Sequence, residues 1–259
     1  MTPDTFRPRT GPELVDSAFQ LFKVHFVSVI TIAAIACLPA LIIRLVLPTK
    51  TPAPGNPLAA WHGHYLFATL INLIAGTISS ALIQGALITV FSEAYQGRTV
   101  AVGPALSAGA SKIIRIWLVT TAALVLASLA LMFFIIPGVI LWTWWFVVPA
   151  IVVLEQRPLS WGIFARSRFL CQDHKLRIFG FGCIYIVFLI VSMVTLKLIT
   201  SSMHSTAFAM VFMIPSYGVV LPLFSALMVV QYYDARIRKE GYDVELMAGA
   251  LTTPPSTIS

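Results

Sequence analysis

The chain has 259 residues, of which 58% are hydrophobic and only 10% are charged. Soluble globular domains typically carry about 25% charged residues, so this composition excludes an ordinary soluble domain and indicates a membrane protein. The formal net charge of +7 does not require a nucleic-acid partner, because membrane proteins collect basic residues in the loops on one side of the bilayer.

Apolar stretches long enough to cross a bilayer recur along the chain. A spanning helix needs about 20 mostly apolar residues, because the hydrocarbon core is roughly 30 Å thick. We therefore predict an all-α, polytopic membrane helical bundle that forms a single integral membrane domain over residues 1–248, followed by a flexible tail over residues 249–259. The six predicted transmembrane spans cover residues 26–47, 65–91, 116–136, 139–154, 178–198 and 207–233.

The third and fourth predicted spans meet at Pro137-Gly138. The stretch from residue 116 to residue 154 contains 39 residues, too many for one crossing even with a steep tilt. Proline followed by glycine is typical of a tight turn. We therefore predict a hairpin here, with a single kinked helix or a re-entrant element as the alternatives.

Lysine and arginine residues are distributed unequally among the predicted loops. Three lie in the N-terminal segment, three in the second loop, five in the fourth loop and three in the C-terminal segment, 14 in all. The opposite side has only Lys50 and Lys197, with Arg44 near the outer end of the first span. Because basic loops stay in the cytoplasm, we expect a multi-pass protein of the cell inner membrane with both termini cytoplasmic.

Three of the predicted cytoplasmic segments that lead into spans share one pattern. Each begins near a proline (Pro12, Pro104 or Pro158), continues with apolar residues at helical spacing, and ends in basic and aromatic residues. The first also has a predicted capping box between Thr10 and Glu13. Helices of this kind can lie in the membrane interface with their basic groups towards lipid phosphates. We predict short interfacial amphipathic helices; the alternative is the ordinary connectors that any multi-span protein contains.

The candidate contacts for anionic lipid head groups or for a cytoplasmic partner are basic residues of the fourth loop and of the C-terminal segment: Arg166, Arg168, Lys175, Arg177, Arg236, Arg238 and Lys239. In the C-terminal segment, Asp234 and Arg238 are four residues apart and can pair on a helix face. Gly241 suits the end of that helix. The predicted partners are membrane lipids, with a cytoplasmic protein or a second copy of the chain as further alternatives.

Long polar side chains are rare within the predicted spans, and none of the Asp, Glu or His residues lies near a span centre. The candidates for intramembrane polar contacts are Arg44, Asn72 and Gln84. For Asn72 and Gln84 we favour hydrogen bonds between helices over substrate binding, and we expect Arg44 to extend to the outer interface. The three cysteines form no C-x-x-C pair. We therefore predict no catalytic residues, no metal site and no cofactor.

The segment YYDARIRKEGYDVEL (232–246) resembles the C-terminal motif of a bacterial membrane family named for the membrane domain attached to some glycerophosphoryl diester phosphodiesterases. The resemblance extends to residues 9–14, 136–138, 149–155, 165–170 and 175–180. It implies a six-span integral membrane protein, in a family whose molecular function is largely uncharacterised. No stretch of this sequence fits the phosphodiesterase domain, a soluble barrel of roughly 200 residues or more, so the resemblance implies no enzymatic activity.

The sequence therefore favours a non-enzymatic integral membrane protein that acts in membrane organisation or in a lipid-related system. The alternative is a transporter or permease of a small or lipidic substrate, because prolines within the spans can break helices and expose backbone groups to a ligand. A lipid-modifying enzyme ranks third. A polar cavity lined by Arg44, Asn72 or Gln84 would favour transport, and a tightly packed bundle without a cavity would exclude it.

Overall fold

A computed structural model of the chain describes residues 9–47, 63–99, 101–155, 157–203 and 219–242. Within these residues the secondary structure is helical and contains no strand, which confirms the all-α prediction. A short 3₁₀ helix covers Gln172–His174. The helices are α1 (Gly11–Val24), α2 (Phe26–Val46), α3 (Gly63–Tyr95), α4 (Val102–Ser111), α5 (Ile113–Phe133), α6 (Ile135–Trp144), α7 (Val148–Leu154), α8 (Gly162–Cys171), α9 (Lys175–Met203) and α10 (Leu221–Glu240).

Five helical stretches of the described chain are long and apolar enough to cross a membrane. Each overlaps one of the first five predicted spans, which supports a membrane-embedded protein; the fifth stretch begins 16 residues before its predicted span and includes α8. Much of the sixth predicted span (207–233) lies outside the described residues, as does the predicted tail, so the count of six spans stays a prediction. The five stretches are Phe26–Val46, Leu66–Tyr95, Ile113–Phe133, Ile135–Leu154 and Gly162–Ser192.

The turn between α5 and α6 lies at Phe134, and the prediction that Pro137-Gly138 forms it is wrong. Phe134 has an extended backbone, with φ −147° and ψ 108°, and α5 and α6 pack against each other as a hairpin. Pro137 lies in the first turn of α6. Proline is tolerated there because the first amide groups of a helix have no partner within it.

The predicted fourth span is not one continuous helix. It is divided into α6 and α7 by a break over residues 145–147. Pro149 lies at the start of α7, where a proline can begin a helix but could not lie in the interior of one without disrupting it. The break therefore places irregular backbone within a candidate span.

The three predicted amphipathic connectors form α1, α4 and α8. The capping box at the start of α1 is confirmed, with the Thr10 amide donating to the Glu13 carboxylate at 2.7 Å. The apolar face of α1, with Leu14, Ala18 and Phe22, is buried. Helix α1 packs mainly against α10, α4 against α3, and α8 against α6, α7 and α10. The buried faces therefore contact protein, and a position in the membrane interface stays a prediction.

Glycines allow α3 and α4 to approach each other closely. A Cβ atom added at Gly109 would lie 2.9 Å from the backbone nitrogen of Ala86 and 3.1 Å from the carbonyl oxygen of Leu82. A Cβ atom added at Gly85 would lie 3.2 Å from the Cα atom of Gly109. Because these neighbours are backbone atoms of packed helices, they cannot move aside, and glycine is required at Gly109.

The core of the bundle lies at the end where Arg9, Arg166, Arg177 and Arg238 meet, which we call the basic end. Every residue from 225 to 235 in α10 is buried, as are the first six residues of α7. Away from this end, many large apolar side chains of α2, α3, α5 and α9 are exposed. Apolar surface on this scale marks a membrane contact.

Replacing Gly109 with alanine should destabilise the protein, because the added methyl group would press on the α3 backbone. Overpacking of this kind costs about 1–3 kcal/mol. Gly103 on the same helix is the matched control, since a Cβ atom added there meets nothing within 4 Å. We expect thermal unfolding in detergent to show a lower Tm for G109A and an unchanged or slightly higher Tm for G103A. Equal Tm values would contradict the close approach.

Candidate functional site

A buried carboxylate, Asp234, organises the basic end. Its side chain is 1% exposed. Oδ1 accepts a hydrogen bond from the backbone amide of Arg9 at 2.8 Å, and Oδ2 accepts from Arg177 Nη2 at 2.7 Å and from Arg238 Nε at 3.0 Å. Both arginines also donate to the carbonyl oxygen of Arg9. This arrangement joins the N-terminal segment, α9 and α10, and it confirms the predicted pairing of Asp234 with Arg238.

A second ion-pair group joins α8, α10 and the end of α7. Arg166 Nε donates to Glu155 at 3.1 Å, and its other nitrogens donate to both carboxylate oxygens of Glu240. Glu155 also accepts from the Tyr232 hydroxyl at 3.1 Å, and Glu240 accepts from Arg236 Nε at 3.0 Å. The hydrogen bond from Arg166 keeps the pKa of the Glu240 carboxyl below its usual value. Glu240 therefore remains ionised and holds the two arginines together.

The other three predicted head-group contacts, Arg168, Lys175 and Lys239, lie against an aromatic ring or a surface carboxylate. Arg168 lies 4.4 Å from the centre of the Trp144 ring, and Lys175 lies 5.3 Å from the same ring. Lys239 Nζ is 2.7 Å from an Asp173 oxygen and also donates to a backbone carbonyl of α8. Contacts between cations and rings stabilise by about 0.5–1 kcal/mol at exposed sites. These side chains thus hold α6, α8 and α9 together.

All seven predicted head-group contacts therefore have a partner within the protein, five of them a carboxylate and two an aromatic ring. A polar cavity of about 560 Å³ opens beside them, lined by residues that include Arg157, Arg166, Arg236, Glu93 and Glu155. The carboxylates within the cavity wall and beside it offset the arginine charges. These seven residues are therefore engaged in contacts within the protein, whereas the sequence suggested an open cationic surface.

The structure separates Gln84 from the other two predicted intramembrane polar residues, since it lies 12 residues from Asn72 along α3. Arg44 lies in the last turn of α2. The Asn72 amide donates to the carbonyl oxygens of Leu47 at 2.9 Å and Ala68 at 2.8 Å, so it connects α3 to the end of α2. Gln84 lines a cavity within the bundle. The three side chains do not converge on one site, and Gln84 is the one that faces a space.

This intramembrane cavity has a volume of about 500 Å³ and lies among α3, α5, α6, α7, α9 and α10. Its size is within the range of ligand pockets, roughly 300–1,000 Å³. The wall is mainly apolar and contains no charged side chain among the described lining residues. The aromatic part of the wall is formed by Trp142, Trp145, Phe146, Tyr185 and Phe224.

Several hydroxyl groups on the cavity wall are already engaged within the protein. Thr77 Oγ1 accepts from Trp117 Nε1 at 2.9 Å, Ser80 donates to the carbonyl oxygen of Thr77, and Thr120 donates to that of Ile116. Within the described part of the chain, no hydrogen bond involves the side chain of Gln84 or Thr121. These two side chains are therefore available to bind a polar atom inside a mainly apolar space.

The cavity is not among the features predicted from the sequence, although the sequence contains part of the pattern of its lining residues. Thr77, Ser80 and Gln84 are spaced three and four residues apart in α3, which places them on one helix face. Thr120 and Thr121 add small polar groups to α5. A stripe of small polar residues on an otherwise apolar span indicates a face turned away from lipid. Residues of α6, α9 and α10 also line the cavity. Their positions depend on helix packing, which the spacing of polar residues in α3 and α5 does not specify.

A scan against protein-family models finds no match for this chain. Searches of curated proteins and of solved structures also find no similar protein. The resemblance of residues 232–246 to the phosphodiesterase-associated membrane family therefore stays a prediction.

Among the described residues, no group of three or more His, Cys, Asp and Glu side chains could hold a metal ion.

Replacing Asp234 with asparagine should strongly destabilise the bundle. It leaves the guanidinium groups of Arg177 and Arg238 without their carboxylate, and breaking a buried ion pair costs about 3–5 kcal/mol. Asp16, an exposed residue that accepts a hydrogen bond from Gln20, provides the control D16N, which should change stability by no more than about 0.5 kcal/mol. The measurement is denaturant unfolding in detergent. The role of Asp234 would be refuted if D234N behaved like D16N.

Stability should also depend on His174. Partial burial lowers the pKa of its imidazole below the usual 6.5, and the positive charges of Arg177 and Arg238 lower it further, against smaller opposing effects of Asp234 and Asp173. The folded state therefore binds this proton less readily than the unfolded state, so stability falls as the pH drops below about 6.5. We expect Tm measured across this range to fall less for H174Q than for the unsubstituted protein; parallel curves would contradict the effect.

Proposed function

We propose that this chain is a non-enzymatic integral membrane protein that binds a lipid or lipid-like amphiphile from the bilayer in its intramembrane cavity. The observation that carries the proposal is the cavity itself, a space of about 500 Å³ with apolar and aromatic walls. Ligand pockets typically have such walls and a few well-placed polar groups. Here Gln84 and Thr121 supply those groups.

The chemistry of the wall defines the class of ligand. Burying a charged group without a partner is costly, and the described lining residues offer no charge. The part of the ligand inside the cavity is therefore uncharged, with a mainly hydrocarbon body and a hydroxyl, ester or amide group within reach of Gln84. Leu124 lines the cavity and is also 61% exposed. The cavity therefore borders the lipid-facing surface, which supports entry from the bilayer.

The basic-end network is a separate feature. Met228, the cavity-lining residue of α10 nearest to the basic end, and Asp234 are six residues apart, a distance of about 9 Å at the rise of an α-helix. A charged head group could lie at the basic end only if the ligand spanned this distance. The structural roles of the basic residues favour assigning them to stability, and the ligand contact to the cavity.

The contact between Arg9 and α10 supports the proposal that both termini lie on the same, cytoplasmic side. The hydrogen bond from the Arg9 amide to Asp234 brings the N-terminal segment to the C-terminal half of α10. Arg166 and Arg177 meet the same end of the bundle. The side that carries most of the lysines and arginines is the cytoplasmic side in inner-membrane proteins, so we assign the basic end to the cytoplasm of a bacterial cell.

A second candidate function is transport of the same amphiphile across the bilayer. The break over residues 145–147 lies in the cavity wall, where Trp145, Phe146 and Pro149 are lining residues. Substrate sites of many transporters are formed by interrupted helices near the bilayer midplane. Binding alone does not need such a break, so a flux measurement distinguishes the two functions.

Filling the cavity should remove the ligand. Ala123 lines the cavity, whereas its neighbour Ala122 is exposed and lies outside the described lining. We expect native mass spectrometry to detect a co-purifying amphiphile with the unsubstituted protein and with A122F, and several-fold less with A123F. Retention of the same molecule by A123F would overturn the proposed site.

The polar contact is tested by Q84L, which keeps a side chain of similar volume and removes its hydrogen-bonding atoms. In lipid nanodiscs, we expect quenching of tryptophan fluorescence by a brominated fatty alcohol to require several-fold more alcohol for Q84L than for the unsubstituted protein. Brominated alkane, which lacks the hydroxyl, should quench both proteins equally.

A fluorescent-lipid flux assay in liposomes separates transport from binding alone. If the protein transports the lipid, transfer across the bilayer should be faster than in liposomes without protein.

A further inference from the structure

The turn between α5 and α6 has no charged, amide or hydroxyl side chain. Residues 129–142 contain no charged, amide or hydroxyl group. Within the described chain, the α3–α4 turn contains Arg98, the α7–α8 turn contains Arg157 and Ser160, and the α8–α9 turn contains Asp173. A turn that enters water normally contains polar residues. The α5–α6 turn has none, which indicates that it faces an apolar environment.

The side chains of this turn project away from the protein. Met132, Phe133, Phe134, Ile135 and Ile136 are between 69% and 79% exposed. Five large apolar side chains in succession therefore contact whatever surrounds the molecule at this point. In water such a cluster would be strongly unfavourable, whereas hydrocarbon chains are the natural surrounding for it.

The backbone of the turn is also suited to an apolar surrounding, where an amide without a partner is costly. The Phe134 amide donates to the carbonyl oxygen of Ala130 at 2.8 Å, and the Gly138 amide donates to that of Phe134 at 3.0 Å. Pro137 has no amide proton to satisfy. The turn consequently leaves fewer free donors than the start of an ordinary helix.

Close packing of the two helices keeps this turn tight. A Cβ atom added at Gly138 would lie 2.5 Å from the backbone nitrogen and the Cα atom of Leu131. Glycine therefore lets α6 contact the α5 backbone directly, and a single extended residue, Phe134, joins the two helices. No loop remains that could extend beyond the helix ends.

The length of α5 places the turn at or inside the far edge of the hydrocarbon. Its 21 residues span about 31 Å, against a hydrocarbon core of roughly 30 Å. Any tilt shortens the reach of the helix along the bilayer normal, and transmembrane helices are tilted by about 20° on average. The hairpin thus has no surplus length with which to carry Phe134 through the lipid head groups.

From these observations we infer that the α5–α6 hairpin is re-entrant: it enters from the basic end, turns within the hydrocarbon of the opposite leaflet, and returns without emerging into water. The surface of the turn is an interaction surface for acyl chains. The charge distribution between the two sides is unaffected, because this turn contributes no lysine or arginine. The inference does not depend on the ligand of the cavity.

Spin labelling of the full chain in lipid nanodiscs tests the inference. The background is a variant in which Cys37, Cys171 and Cys183 are replaced with alanine and which elutes from size exclusion as the unsubstituted protein does. A nitroxide is attached in turn to F134C, to I190C on the exposed face of α9, and to S160C in the exposed α7–α8 turn. The measurement compares collision rates with oxygen, which concentrates in hydrocarbon, and with a water-soluble nickel chelate.

We expect the ratio of oxygen to nickel collisions at F134C to match that at I190C and to exceed that at S160C several-fold. A ratio at F134C like that at S160C would mean that the turn emerges into water and would overturn the inference. Low collision rates with both reagents at F134C would show that protein, such as a second copy of the chain, covers the turn, and would equally overturn a contact with acyl chains.

Discussion

The architecture depends on one buried carboxylate that neutralises cations from two long helices. Asp234 accepts hydrogen bonds from Arg177 of α9, from Arg238 of its own helix, and from the backbone of Arg9. A buried ion pair is not in itself strongly stabilising, but removing one partner leaves an uncompensated charge. The interaction therefore acts mainly as a constraint: any arrangement that separates α1, α9 and α10 exposes unpaired charges in an apolar protein.

This constraint explains why packing is uneven along the bundle. Near the basic end, ion pairs and aromatic contacts hold helices together, and small residues such as Gly85 and Gly109 allow close approach. Farther from the basic end, the described helices expose apolar side chains. Because lipid tails are as apolar as these side chains, the hydrophobic effect does not drive the helices together there. The cavity that Gln84 lines lies among helices of this lipid-exposed part.

Sequence predicts local features of this protein better than long-range ones. Span positions follow from apolar length, and the Thr10–Glu13 capping box and Asp234–Arg238 pair depend on neighbours three or four residues away. The turn at Phe134 was misplaced because Pro137-Gly138 is a common turn signal, and a proline at a helix start looks the same in sequence. The partners of Arg166 and Arg177 were not predictable, because a basic cluster that faces lipid and one that faces distant carboxylates have the same composition.

The contact between Arg9 and Asp234 joins residues 225 positions apart. During synthesis the N-terminal segment is therefore complete long before its carboxylate partner exists. Until α10 is inserted, α1 lacks the main helix against which it packs, and Arg177 has no counter-charge from Asp234. A chain that ends before Asp234 leaves the apolar face of α1 uncovered and Arg177 without this carboxylate, features by which quality-control proteases can distinguish an incomplete product from a finished one.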